Sequence, residues 1–346
     1  MSRDDRLRLA FVGMHPARRG ALTEKYGSAG AVVRAVESGA EPVPAAARAA
    51  ALQSPGRLLG VLRDAGVRPL MNGDPEYPAH LAVLPGAPDV LFVRGELPPV
   101  PGVAVVGTRR STGYGRSLAA AYGSAIADAG WVVVSGLARG IDGAAHRGHV
   151  AAGGVGVAVL GSGPDVVYPP EHRDLHDALL SGGGAVVSEY PPGVPPNGWR
   201  FPPRNRIISG LSAAVVVVEA PVTGGALVTA AAALDQGRTL FAVPGDVDRT
   251  TSRGCNLLIR DGAIPVLDPG DLVEALSLVS SLPRPAATRN AAGADPVLAA
   301  VGASGCTVEE LAVKTGLDAA DVLRRVARLE LAGLLCRRGG VVMRGR

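Results

Sequence analysis

From residue 103 onward, short apolar runs recur along the chain: VAVVG (103–107), WVVVSG (131–136), VGVAVLG (155–161), GAVVSEY (184–190), AAVVVVEA (213–220), RTLFAVPG (238–245) and AIPVL (263–267). They are rich in valine and do not alternate with polar residues, which is how a strand covered on both faces reads. Between them lie helical stretches such as SLAAAYGSAIADAG, AAHRGHVAAGG and ALVTAAAALDQG, each closed by a glycine in the manner of a C-cap. Strands alternating with helices predict an α/β fold, a Rossmann-like doubly wound and mostly parallel sheet.

The flanks have other patterns. Residues 1–75 read as a helical module of short, Ala-rich helices broken by Gly and Pro. Residues 76–102 read as a Pro-rich connector in which LFVRGE forms a short strand, because its prolines forbid a long helix. The sheet domain is expected over 103–276. A small, polar, Pro-containing linker follows at 277–293, and a separate unit at 294–346. In that unit TVEELAVKTGL and DAADVLRRVARLELAGLL read as two helices across a Gly-centred turn. CRRGGVVMRGR reads as a hairpin turning at Gly339–Gly340, which completes a winged helix.

Ligands of an open parallel sheet bind beyond the C-terminal ends of its strands, so the chemistry is sought there. The segments that follow the strands are GTRRSTGYG, SGLARGID, GSGPDVVYPP, SEYPPG leading to FPPRNR, EAPVTGGALVTA and PGDVDR. Most are glycine-rich and lead into a helix, so their N–H groups and the helix dipole suit phosphate. Arg109, Arg110, Arg139, Arg204 and Arg206 all fall in these segments and are expected on one edge. Aromatics make up only 3% of the chain, yet Tyr168, Tyr190, Trp199 and Phe201 lie in or near the same segments. Aromatic faces for bases and arginines for the backbone point to single-stranded nucleic acid.

Other chemistries find less support. GSGPDV has Val166 where a dinucleotide fingerprint needs its third glycine, and no G-x-S-x-G elbow or HExxH motif is present. Asp142 and His146 share a helix face and could serve acid–base or metal chemistry, but an N-cap aspartate and a packed histidine are the simpler reading. Glu219 ends a strand and is either catalytic or the partner of a neighbouring arginine. No complete catalytic constellation or metal-ligand set emerges, and no cofactor is expected.

The 346 residues are 47% hydrophobic and 19% charged, enough for a sizeable core in two or three domains. No stretch of membrane-spanning length lacks glycine or charge, the first residues hold no secretory apolar region, and the three cysteines (Cys255, Cys306, Cys336) are isolated. A cytoplasmic protein with no membrane span is expected. The net charge is +4, but residues 100–276 carry 13 basic and 15 acidic groups, so an anion site there depends on local placement. Lys25 and Lys314 are the only lysines; the remaining cations are arginines, whose planar fork suits phosphate.

Taken together and in order, VAVVGTRRSTGYG, SGLARGIDGAAH, AVLGSGPDVVYPP, VVSEYPPG, FPPRNRIISGLS, VVVVEA, ALVTAAAALDQGR and FAVPG…SRGCNLLIRDGA closely resemble the DprA (Smf) family of DNA-processing proteins. The resemblance spans 103–276, about half of the chain. It implies that the N-terminal module is SAM-like and that the tail is a winged helix. It implies a non-catalytic protein that binds single-stranded DNA, dimerises through the Rossmann-like domain and helps load the RecA recombinase during natural transformation. Carried over, its phosphate pocket consists of Gly107, Thr108 and Arg109, with Arg110 beside them, and of Phe201, Arg204, Asn205 and Arg206. Ser135, Gly136, Arg139 and Gly140 of the SGLARGID loop join it, as do Thr223, Gly224 and Gly225. Three positions depart from the family: Pro203 stands where some members have Lys, His172 where Asn is common, and Thr223–Gly224–Gly225 replaces a Ser-Gly-Ser-type loop. The alternatives are a nucleotide-phosphate-binding enzyme of the phosphoribohydrolase kind and a winged-helix transcription regulator with a ligand-sensing sheet.

Overall fold

The computed structural model describes residues 2–279, 296–301, 305–331, 335–338 and 340–344. The chain divides into two compact units, Met1–Arg284 and Pro285–Arg346.

The first unit is built on a nine-stranded sheet in the order β1-β2-β6-β5-β4-β3-β7-β8-β9. Its strands are β1 (Arg68–Met71), β2 (Val90–Gly95), β3 (Gly102–Val106), β4 (Val133–Ser135), β5 (Gly156–Leu160), β6 (Ala185–Ser188), β7 (Ser212–Val217), β8 (Thr239–Ala242) and β9 (Ile264–Pro265). Strands β3 to β9 pair in parallel and correspond to the seven apolar runs. The chain winds outward from β3 through β4 and β5 to β6, then returns to the other side of β3 for β7, β8 and β9. The switch point of the sheet therefore lies between β3 and β7, where ligands of such folds bind.

Two apolar layers flank the sheet, and alternate residues feed each of them. Ala104, Val106, Val215 and Val217 face the layer that holds Ile207, Ile208 and Ala230. Val103, Val105, Ala214 and Val216 face Tyr122, Ile126 and Ala145. Burial on both sides is why these strands read as unbroken apolar runs.

Residues 68–71, read as part of the helical module, form a strand instead, while the short strand expected at LFVRGE is present as β2. Both enter the sheet as an antiparallel edge, β1 on β2 and β2 on β6. The short helices Arg3–Phe11, Pro16–Tyr26, Ala29–Ser38 and Ala45–Ala51 close around Leu9, Val12, Leu22, Val32, Val33 and Val36, and the helix Pro55–Asp64 follows them. Leu7, Leu58 and Leu62 then pack against Val90 and Phe92 of β2, which fastens the helices to the sheet. At the other end, the helix Pro269–Val279 continues past residue 276, and the rest of the expected linker lies outside the described residues.

The second unit contains the helices Pro296–Ala300, Val308–Thr315 and Ala319–Leu331, followed by the antiparallel pair β10 (Leu335–Arg338) and β11 (Val341–Arg344). Thr307 and Glu310 form a reciprocal capping box at the second helix. Leu311, Val322, Val326, Leu335 and Val342 make a small core. This is the winged-helix pattern; Gly339 of the expected turn lies outside the described residues.

Candidate nucleic-acid interface

Above the switch point the segments after β3 and β7 are tied together by Glu219. Thr108 N–H donates to the Glu219 carbonyl at 2.7 Å, and Thr112 N–H donates to its carboxylate at 2.9 Å. Thr112 Oγ1 then caps the helix Gly113–Asp128 by accepting from Gly115 N–H at 2.9 Å. The approach is close enough that a Cβ on Gly107 would collide with Ile141 and the Glu219 carbonyl, and one on Gly115 with the Glu219 carboxylate. Glu219 is 5% exposed and forms no ion pair with an arginine among the described residues. Its carboxylate shapes the loop.

The loop after β4 is organised by Asp142. The N-cap position of the helix Ile141–Ala151 is Gly140, at φ +79°, and Asp142 in the first turn reaches back to accept Gly136 N–H at 3.1 Å. The expected N-cap role for Asp142 is therefore replaced by a loop brace. His146 is fully buried, and burial holds its imidazole down at about 3, so it is a neutral packed ring.

The FPPRNR segment is the main departure. It is not a loop: Phe201–Gly210 is a helix, opened by Pro202 and Pro203 in the first turn, where a missing N–H costs nothing. Arg204 and Arg206, two residues apart, therefore project from different faces. Arg204 is 4% exposed and donates through Nη1 to the carbonyls of Gly136, at 2.9 Å, and Val159. Burial lowers its guanidinium to about 10 against the pull of Asp142, while burial raises the Asp142 carboxyl against the pull of Arg204. Arg206 donates to the carbonyls of Gly86 and Pro203 and pairs with Glu189 at 2.9 Å; Arg19 of the N-terminal helices grips the same carboxylate. Arg206 is thus absent from the phosphate edge on which it was expected.

What remains around the switch point is one cavity of about 720 Å³. Of the fifteen predicted residues it collects ten: Gly107, Thr108, Arg109, Arg110, Phe201, Arg204, Asn205, Thr223, Gly224 and Gly225. A small annex beside it is bordered by Gly136 and Arg139. Arg139 is paired there with Glu171. Ser135 is fully buried and donates to Val105 O at 2.6 Å inside the sheet, and Gly140 serves backbone geometry; neither lines the cavity. Phe201 carries the Arg109 guanidinium 4.7 Å from its ring centre, with Tyr168 tilted against it at 5.7 Å. Asn205 Nδ2 donates to Gly225 O at 3.1 Å and so joins the helix Phe201–Gly210 to the Thr223–Gly225 rim. Arg109 and Arg110 are exposed and form no ion pair among the described residues.

Sequence reasoning missed the inner wall, Ile208, Ala220, Ala226 and Leu227. Nothing in the sequence separates these from core residues, because they are apolar positions on elements that also pack against the sheet. Trp199 is 37% exposed and lies outside the cavity, between His15 at 5.5 Å and Arg200 at 4.8 Å. Among the described residues no group of three or more His, Cys, Asp or Glu is placed to hold a metal ion, and no helix is long and apolar enough to cross a membrane.

Known proteins resemble this chain in sequence and in fold. Residues 68–277 match the family model for DNA recombination-mediator protein A, and residues 281–341 match that for the DprA winged helix domain. Protein Smf of Escherichia coli is 41% identical over 276 residues, which is 76% of this chain and 74% of that protein. The DNA processing protein DprA of Bacillus subtilis is 38% identical over 223 residues, covering 64% of this chain and 75% of its own. Among solved structures, DNA processing protein A of Streptococcus pneumoniae superposes with a TM-score of 0.65 at 30% identity, over 79% of this chain and 98% of that one. DNA processing protein A of Helicobacter pylori, a structure described for its single-stranded DNA binding mode, gives a TM-score of 0.53 at 25% identity over 61% and 96%. The two family models match in succession, the first over the strands and loops that build the cavity and the second over the C-terminal unit, and the chain belongs to the DprA (Smf) family of DNA-processing proteins.

Proposed function

We propose that this chain binds single-stranded DNA along the Arg109 edge and acts without chemistry of its own, as a recombination mediator that protects incoming strands and passes them to the RecA recombinase during transformation. The observation that carries the reading is the contrast among the five arginines. Arg139 and Arg206 are neutralised by Glu171 and Glu189 and Arg204 is spent on carbonyls, while Arg109 and Arg110 stay unpaired among the described residues beside Phe201 at the cavity mouth. Unpaired guanidinium groups next to an aromatic ring suit a flexible phosphate chain with unstacked bases.

The winged helix fits a duplex-reading regulator less well, since Arg324 and Arg337 are held by Asp321 and Glu330. A homodimer through the first unit is part of the proposal. The short edge strand β9, with Ile264 38% exposed and Leu267 just beyond it 72% exposed, offers an open margin for a second copy. The test is fluorescence anisotropy with matched single- and double-stranded oligonucleotides over a salt series. Tighter, sequence-tolerant binding of the single strand that weakens steeply with salt is expected. Equal binding of both forms, or preference for one duplex sequence, overturns the reading.

A further inference from the structure

A second cavity, of about 820 Å³, lies between the N-terminal helices and the sheet domain, and its size is that of a small-molecule site. It shares no lining residue with the cavity at the switch point. One wall is the helix Pro16–Tyr26, whose Pro16, Arg19, Gly20 and Thr23 follow the spacing of one helical face. That face is small or polar where a packed helix carries large apolar residues, and Leu22 is the one buried residue of this helix. The face therefore leaves open space: a Cβ at Gly20 would meet no atom within 4 Å. Leu9, Ala87 and Pro203 make the other walls apolar.

The charges of the cavity do not balance. Arg19 and Arg206 both line it, and both pair with Glu189, so two guanidinium groups share one carboxylate. Asp89, on the same lining, is already matched by Arg6 at 2.7 Å. Arg206 has given each of its nitrogens to an acceptor, Nε to Gly86 O, Nη1 to Pro203 O and Nη2 to Glu189. Arg19 has not. Its side chain is only 11% exposed, yet it gives Nη2 alone to Glu189, and its Nε and Nη1 have no hydrogen-bond partner among the described residues. A guanidinium withdrawn from water with unused donors calls for an acceptor.

One unmatched positive charge among apolar walls suits a singly charged anion with an apolar body. We infer that this cavity binds a small monocarboxylic acid, its carboxylate on the unused donors of Arg19 and its apolar part against Leu9, Ala87 and Pro203. A phosphate monoester brings up to about two charges where one is needed, beside Glu24, which is exposed on the same lining. The bound acid bridges Arg19 of the N-terminal helices to Pro203 of the sheet domain, so it also holds the two together.

The test is calorimetric titration of the full chain with hexanoate and 4-phenylbutyrate, with their amides, with acetate and with hexyl phosphate at one ionic strength. Proteolysis of the N-terminal helices is followed in parallel. The two carboxylates are expected to bind and to slow that cleavage, with the amides and acetate at least tenfold weaker. Gly20→Trp places a ring in the open space from an exposed helix position, and is expected to weaken both carboxylates tenfold or more at an unchanged urea midpoint. Arg19→Gln is expected to remove the preference for carboxylate over amide; should that chain fail to fold, Gly20→Trp decides. Amides as effective as the acids overturn the inference, because the cavity then reads apolar surface alone. Hexyl phosphate binding more tightly than hexanoate overturns the match to a single charge. Displacement of the acid by a single-stranded oligonucleotide, or full affinity in Gly20→Trp, places the acid elsewhere and overturns the site. Absence of carboxylate binding overturns it outright and leaves the strand reading untouched.

Discussion

Arg204 and Arg206 stand two residues apart on one helix and act in different places: Arg204 braces the carbonyls of Gly136 and Val159 under the cavity, and Arg206 holds Glu189 on the far side. The cause is helical geometry, since residues two apart are separated by about 200° around the axis and share no face. One short motif thus serves both the cavity at the switch point and the attachment of the N-terminal helices.

The first consequence concerns which arginine touches phosphate. Arg109→Ala is expected to weaken single-strand binding for every sequence and to reduce the salt slope by about 0.7 for each phosphate that Arg109 neutralises. Its stability should change by no more than about 0.5 kcal/mol, as for an exposed residue. Anisotropy over a salt series and urea unfolding check both; an unchanged slope removes Arg109 from the phosphate path.

Arg204→Ala is expected to behave in the opposite way. It leaves two carbonyl acceptors without their charged donor and removes the opposite charge that acts on the buried Asp142 carboxyl, and a loss of about 1.5–3 kcal/mol is expected. Any loss of affinity should come with a shifted urea midpoint. Weakened binding at full stability, with a flatter salt slope, would make Arg204 a direct DNA ligand.

Glu189 is 2% exposed, and the two arginines that grip it keep its carboxyl below the usual range against the opposing effect of burial. Glu189→Gln leaves Arg19 and Arg206 without their counter-charge, and a loss of about 3 kcal/mol is expected in chemical unfolding. Proteolysis should then release the N-terminal helices first, while the cavity stays intact.

Burial holds His146 down at about 3 and His80 at about 4, so both rings are neutral in the folded chain. In the unfolded chain they take up protons near pH 6.5. Between those values the unfolded state binds more protons, so stability is complete above about pH 6.5 and falls as the pH drops toward 4 and then 3, by up to about 1.4 kcal/mol per pH unit for each ring. Urea midpoints from pH 7.5 to 4.5 in the wild type and in His146→Leu check this. The variant should show the shallower decline.

Gly115→Ala tests the loop that Glu219 shapes. The added methyl meets the Glu219 carboxylate, which is itself fixed by Thr112 N–H. A destabilisation of about 1–3 kcal/mol is expected, together with weaker strand binding through displacement of Thr108 and Arg109. An unaltered affinity would show that the loop can move without cost to the site.

The seven parallel strands and the positions of the glycine loops were legible in the sequence, because a strand buried on both faces must be continuously apolar and its loops must turn sharply into helices. The strand at 90–95 was legible as LFVRGE but its pairing with β6 was not, and the four-residue edge strand at 68–71 was hidden behind the helical run and joins the sheet only through β2. Position after the strands placed Arg109 and Phe201 at the loop edge, and the family resemblance added Gly107 and Asn205 to the same pocket. Tertiary structure decided which arginines remain unpaired there, since their partners Glu171 and Glu189 come from distant segments. It also set the depth of the cavity, because Ile208, Ala220 and Ala226 look like any core residue until the helices that carry them are packed. Local pattern determined the elements; free charge and enclosed space depend on what the rest of the chain brings against them.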